Sequence, residues 1–198
     1  MTHRTRTALL VGIVAVASLA ALSETTHLVS WSENVELSWS LFLGTVPPNI
    51  PPSDVAAIHM ELKWHTFFDG ARNGSGWVGY TTKVIVSNSM NPQLSWARRE
   101  SVTDAALRHE TYHFHLNEVY RRKLETELLT VRVCGRTAEE TRDLLDRQVH
   151  DIAAEILGQA ESVQQSYEVE TKHGSDSAMQ FSWEQKIDGW LANPSSAP

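Results

Sequence analysis

Ser101-Val102-Thr103-Asp104-Ala105-Ala106-Leu107-Arg108-His109-Glu110-Thr111-Tyr112-His113 opens a stretch that continues to Leu129 without a proline or a glycine. Ser101 with Asp104 has the form of a capping box, and Leu107, Leu116, Val119, Leu124 and Leu128 recur at roughly helical spacing. The pattern predicts one long helix. On it, His109 to His113 is an H-E-x-x-H string, and four residues advance a helix by about 400° and roughly 6 Å. Both imidazoles therefore point to one side and can grip one ion. Glu110, turned by about 100° from His109, is placed to activate a water on that ion and not to ligate it. Helix, paired histidines and carboxylate together are the arrangement of a zinc metallopeptidase.

Upstream of this helix the period is two. Val35, Leu37, Trp39 and Leu41 alternate with Glu36, Ser38 and Ser40, which predicts a half-buried strand broken by Gly44 and the Pro47-Pro48-Asn49-Ile50-Pro51-Pro52 segment. Ile58, Met60, Leu62 and Trp64 form one face of a second predicted strand. His59, Glu61, Lys63 and His65 form the other, which makes His59 and His65 solvated strand residues. Asp69-Gly70 and Asn73-Gly74 supply turn chemistry, and Trp77 to Val86 reads as the return strand of an antiparallel hairpin.

After Asn91-Pro92 the period becomes helical. A break at Cys134-Gly135 is followed by Thr137 and Glu140, a capping box that opens a second helix with Leu145, Val149, Ile152, Ile156, Ala160 and Val163 as its apolar stripe. This helix is expected to end near Ser166. A loop around His173-Gly174 leads to a third helix with Met179, Trp183, Ile187 and Trp190 on its buried side. Strands first and helices after predict an α+β fold, a small antiparallel sheet followed by the motif helix and two more helices. Zinc peptidases use such a layout because an edge strand can pair with an extended substrate and lay its scissile bond over the metal.

The chain begins with His3, Arg4 and Arg6 and an apolar run from Ala8 to Leu22, too short for a comfortable membrane span. We read residues 1–23 as a signal peptide, 24–192 as the domain and 193–198 as a disordered tail, and expect the protein to be exported, periplasmic or secreted. An uncleaved anchor is the alternative; with the signal cleaved, no stable membrane association is expected. The formal charge of -7 disfavours nucleic acid and anionic membrane surfaces as partners. Cys134 stands alone and forms no internal disulfide. The seven tryptophans read as core and groove material.

A catalytic zinc takes three protein ligands and keeps one position open, so the motif leaves one ligand to find. His115 lies about 240° around the helix from His109, Glu118 about 140° from His113, and Glu127 roughly 27 Å along the axis, so none reaches the ion. His150 or Glu155 on the second helix, or His173 in the loop beyond it, remain. His173 is favoured because Gly174 and the preceding loop permit the bend that would turn a side chain back over the motif helix.

Leu107-Arg108-His109-Glu110-Thr111-Tyr112-His113-Phe114, preceded by Ser95-Trp96 and followed by Tyr167-Glu168-Val169-Glu170-Thr171-Lys172-His173-Gly174 and by Gln180 and Trp183, resembles a bacterial family of predicted secreted zinc-dependent proteases, named as domain of unknown function 922. The likeness covers nearly the whole chain after the signal, including Trp39 to Gly44 as the first strand. The second motif, Tyr-acidic-x-x-Thr-x-His-Gly, is the more distinctive of the two. The resemblance implies a zincin-like peptidase with Zn²⁺ on His109 and His113, Glu110 as base and His173 as third ligand. Thr111-Tyr112 stand where the family usually has Gln-Gly, and His115 and Glu168 where it usually has Asp.

The expected reaction is hydrolysis of a peptide or protein substrate, with Glu110 taking a proton from the zinc-bound water and delivering it to the leaving amine. Tyr167, expected in the loop before His173, is the candidate for stabilising the oxyanion, with Tyr112 and Tyr120 behind it. Glu118 and Glu170 are candidates for orienting the imidazoles. Two other readings are weighed: a non-catalytic surface module with a structural zinc or none, and a zinc amidase acting on cell-wall amides.

Overall fold

The structure, a computed structural model, describes residues 27–198, so the expected signal peptide lies outside the described residues. The fold is α+β. Strands β1 (Val29–Ser30), β2 (Ala56–Ala57), β3 (Met60–Asn73), β4 (Gly76–Met90) and β5 (Trp96–Ala97) precede helix α1 (Asp104–Leu129). After it come β6 (Arg132–Gly135), α2 (Ala138–Glu170) and α3 (Ser177–Ala192).

The hairpin of β3 and β4 dominates the sheet, paired from Met60 with Met90 to Asn73 with Gly76, with a bulge between Phe67 and Phe68. Its tight turn lies at Gly74, where a φ of 61° suits glycine. Asp69-Gly70, expected as turn chemistry, instead lies inside β3, with Gly70 opposite Gly79. β1 and β6 pair with opposite ends of β4, leaving β3 as an outer strand, and β2 and β5 form a separate two-stranded ladder. Ile58, Met60 and Leu62 are buried and His65 is exposed, the faces that the alternation predicts.

Thr103, not Ser101, caps α1, its side chain accepting a bond from the Ala106 N–H. The helix lies across β4 and buries Leu116, Val119, Tyr120, Leu124 and Leu128 in a core shared with Leu145, Val149, Ile156 and Val163 of α2 and Trp183 and Ile187 of α3. Thr137 caps α2 by accepting from the Glu140 N–H, as its sequence predicts. α2 packs close to the sheet because Gly79 has no side chain: a Cβ there would come within 2.7 Å of Leu145 and Thr141.

Three further expectations are corrected. Residues 35–41 form no strand: among the described residues they have no pairing partner, Trp39–Leu41 is a short 3-10 turn, and the Arg99 guanidinium donates to the Trp39 and Phe42 carbonyls. Their apolar side chains still bury, with Leu37 and Phe42 packed against Ile58, Met60, Met90 and Phe114. α2 continues a full turn past Ser166, since nothing before Lys172 interrupts it. The tail is docked, not disordered: Ala197 is buried, and the Tyr120 hydroxyl and Lys123 ammonium donate to the Pro198 carbonyl.

Candidate metal centre

The extra turn of α2 builds the site. It carries Tyr167 and Glu168 to the buried face of α1, where His109 and His113 stand one turn apart. Glu168 Oε2 lies 2.9 Å from Nε2 of His109 and 2.9 Å from Nε2 of His113, and the two Nε2 atoms are 3.1 Å apart. Among the described residues these three side chains form the group of His, Cys, Asp and Glu donors able to converge on one ion.

Glutamine amides hold the far sides of both rings. Gln180 Oε1 lies 3.1 Å from His109 Nδ1, and Gln164 Oε1 lies 2.6 Å from His113 Nδ1. The Tyr167 ring stacks on His109 and meets His113 edge to face, both at 4.7 Å between centroids. Gly174 closes this side: a Cβ at that position would come within 2.8 Å of His109 Cβ, and its φ of 75° favours glycine.

Burial would lower the pKa of His113, but its bond to Glu168 and the charges of Glu168 and Glu110 raise it. Burial works against Glu168 as well, yet the bonds from His109 and His113 hold its carboxyl well below the usual range. Three acceptor atoms this close repel one another unless a proton or a cation lies among them. Two imidazoles and one carboxylate are also a donor set of catalytic zinc sites, so the residues fit the metal their sequence implies.

Glu110 points to the same place from α1. Burial pushes its carboxyl above the ordinary range, opposed by His113 and His109. Its Oε2 accepts a 2.9 Å bond from the Ile58 N–H, and among the described residues Oε1 has no hydrogen bond. Glu110, His113, Glu168 and His173 line a cleft of about 430 Å³ together with Pro51, Ser53, Asp54, Ala56, Ala57, Ile58 and Met60. Among the described residues no lysine or arginine lines it, so its field favours a cation.

The site therefore gathers His109, His113 and Glu110 as the motif predicts and arranges the remaining candidates differently. Glu168 occupies the place that the sequence reading gave to His173. His173 stands one bond further out, exposed, its Nδ1 2.5 Å from the other oxygen of Glu168. It is held there by left-handed backbone at Lys172 (φ 50°) and His173 (φ 57°). His150 and Glu155 are exposed on α2 and do not line the cleft.

Tyr167 is in α2 and not in a loop. It is fully buried, its hydroxyl donates to the His109 carbonyl and accepts from Gln180 Nε2, and burial raises its pKa, so it has no free donor for an oxyanion. Tyr112 bonds Asp188 and Tyr120 bonds the C-terminal carbonyl, both away from the cleft. Glu118 and Glu170 touch neither imidazole: Glu118 pairs with Arg121 and Arg122, and Glu170 accepts from the Trp183 indole. Sequence reasoning missed Gln164 altogether, and it quoted Glu168 and Gln180 in the family motif without giving either a role at the site. The signal was present, since Gln164 and Glu168 are four apart and share a helix face once α2 is extended past Ser166. In comparisons with protein-family models, curated proteins and solved structures, no match to the chain is found.

Proposed function

We propose that the chain is an exported, zinc-dependent peptidase of zincin-like type, with His109, His113 and Glu168 holding the ion and Glu110 acting as general base. The observation that carries the reading is the convergence of His109, His113 and Glu168 on one point beside a cleft lined by His113, Glu168 and the buried Glu110. Bound zinc would supply a Lewis acid and a water acidic enough to ionise near neutral pH. Everything else falls to the chain. The Ile58 N–H fixes one oxygen of Glu110, leaving Oε1 to take a proton from a water and pass it to the departing amine. Burial raises the pKa of that carboxyl, which makes it a stronger base than an exposed carboxylate. The strand Ala56–Ala57 lines the cleft and offers extended backbone along which a peptide can lie. His173 donates to Glu168 and so holds the carboxylate in place.

The test is zinc-loaded protein incubated with an unfolded polypeptide and, separately, with purified cell-wall peptide, the products read by mass spectrometry. We expect the polypeptide to be cut, and Glu110→Gln to reduce the rate at least about a thousandfold with zinc content unchanged. Cleavage of cell-wall peptide alone would make the chain an amidase. Undiminished cleavage by Glu110→Gln would overturn the assignment of the base, and zinc without hydrolysis of either substrate would leave a binding module.

A further inference from the structure

An imidazole binds a metal only through a nitrogen that carries a lone pair, so the tautomer of each ring decides which atom is the donor. In His109 and His113 that choice is made from outside. Their Nδ1 atoms face the Oε1 atoms of Gln180 and Gln164, and an amide oxygen only accepts.

The far end of each amide fixes which atom is the oxygen. Gln164 Nε2 is 3.0 Å from the His113 carbonyl, which cannot donate. Gln180 Nε2 is 3.1 Å from Glu184 Oε1 and 2.7 Å from the Tyr167 hydroxyl, whose own proton goes to the His109 carbonyl. Glu184 is buried and accepts two bonds from the Arg108 guanidinium, at 2.6 and 2.5 Å, so it too has nothing to donate. Thr171 Oγ1, 3.5 Å from His109 Nδ1, gives its proton to the Tyr167 carbonyl and offers the ring only a lone pair. Reversing either amide would set an N–H against an N–H donor or an oxygen against an oxygen.

We infer that Gln164 and Gln180 are positioning residues that hold both imidazoles as Nδ1–H tautomers and thereby make the two Nε2 atoms the metal donors. Through Gln180, Glu184 and Arg108, α3 is part of the site although none of its residues is a ligand. The inference rests on the reading that His109 and His113 bind the metal, but the tautomer itself can be tested without one.

The experiment is long-range ¹H–¹⁵N correlation of histidine-labelled protein, metal-free and zinc-loaded, with zinc affinities of Gln164→Met, Gln180→Met and Gln164→Glu measured by chelator competition. In both spectra we expect a protonated Nδ1 on His109 and His113, and in the zinc-loaded one a metal-bound Nε2 on each. Each Met variant should bind zinc about 10- to 100-fold more weakly. Gln164→Glu, which keeps the acceptor, should fall between Gln164→Met and the unaltered protein or match the latter. An unprotonated Nδ1 on either ring of the unaltered protein overturns the inference, even if the variants fail to fold. So does unchanged zinc affinity in both Met variants. If the unaltered chain bound no zinc, the metal reading would fall, while the metal-free spectrum would still decide the tautomers.

Discussion

Helix α1 carries two buried carboxylates about two turns apart, and their surroundings could hardly differ more. Glu118 accepts from Arg121 and Arg122, both at 2.9 Å, and from Asn88, so its charge is matched by cations built into the fold. Glu110 feels the charges of His109, His113 and Glu168 in a cleft that, among the described residues, no lysine or arginine lines. A buried anion without a permanent counter-charge is costly. Where the carboxylate serves the architecture, the chain provides its own cation; at the cleft it brings lone pairs together, and in our metal reading the cation comes from solution. The first arrangement fixes two side chains to a helix, and the second makes a site.

The sharpest way to break this contrast is to add zinc. Zinc at a thousandfold excess over its dissociation constant should raise the unfolding free energy by about 4 kcal/mol, read by thermal melts with and without a chelator. Identical melts would remove the distinction between the two regions. Next in size is Glu118→Gln, which should cost on the order of 2 kcal/mol through its lost charged bonds. Because this carboxylate is matched internally, the cost should be the same with and without zinc. A loss of zinc binding in that variant would mean that the two networks are one.

The smallest effect sharpens the boundary of the site. His173→Ala removes the donor to Glu168's outer oxygen and should weaken zinc about tenfold by chelator competition, far less than loss of a direct ligand. Complete loss of zinc in this variant would return His173 to the ligand set.

The same contrast shows what was legible in the residues. The motif helix, its two histidines and Glu110 are local features, four residues apart on a segment with no breaker, and they appear where the periodicity puts them. The hairpin was equally readable, because alternating Ile58, Met60 and Leu62 bury as one face. What escaped depends on a helix end. Apolar periodicity along α2 fades after Val163, yet backbone bonding and the packing of Tyr167 on His109 carry the helix to Glu170, and only that added turn brings Glu168 onto the histidines. His173 was legible as a residue near the site, since Gly174 marks the bend, but which of two neighbouring donors faces inward is set by left-handed backbone at Lys172 and His173 that no residue type there announces. Residues 35–41 mislead for the opposite reason: their alternation reports burial on one side, and burial without a pairing partner makes no strand.

The central claim is that Glu168 completes the metal site, and zinc titration of the unaltered chain beside Glu168→Ala tests it most directly. The account predicts one zinc per chain for the former and an affinity lower by at least about a hundredfold for the latter, with far-UV circular dichroism unchanged. Equal zinc binding by the two proteins would contradict it.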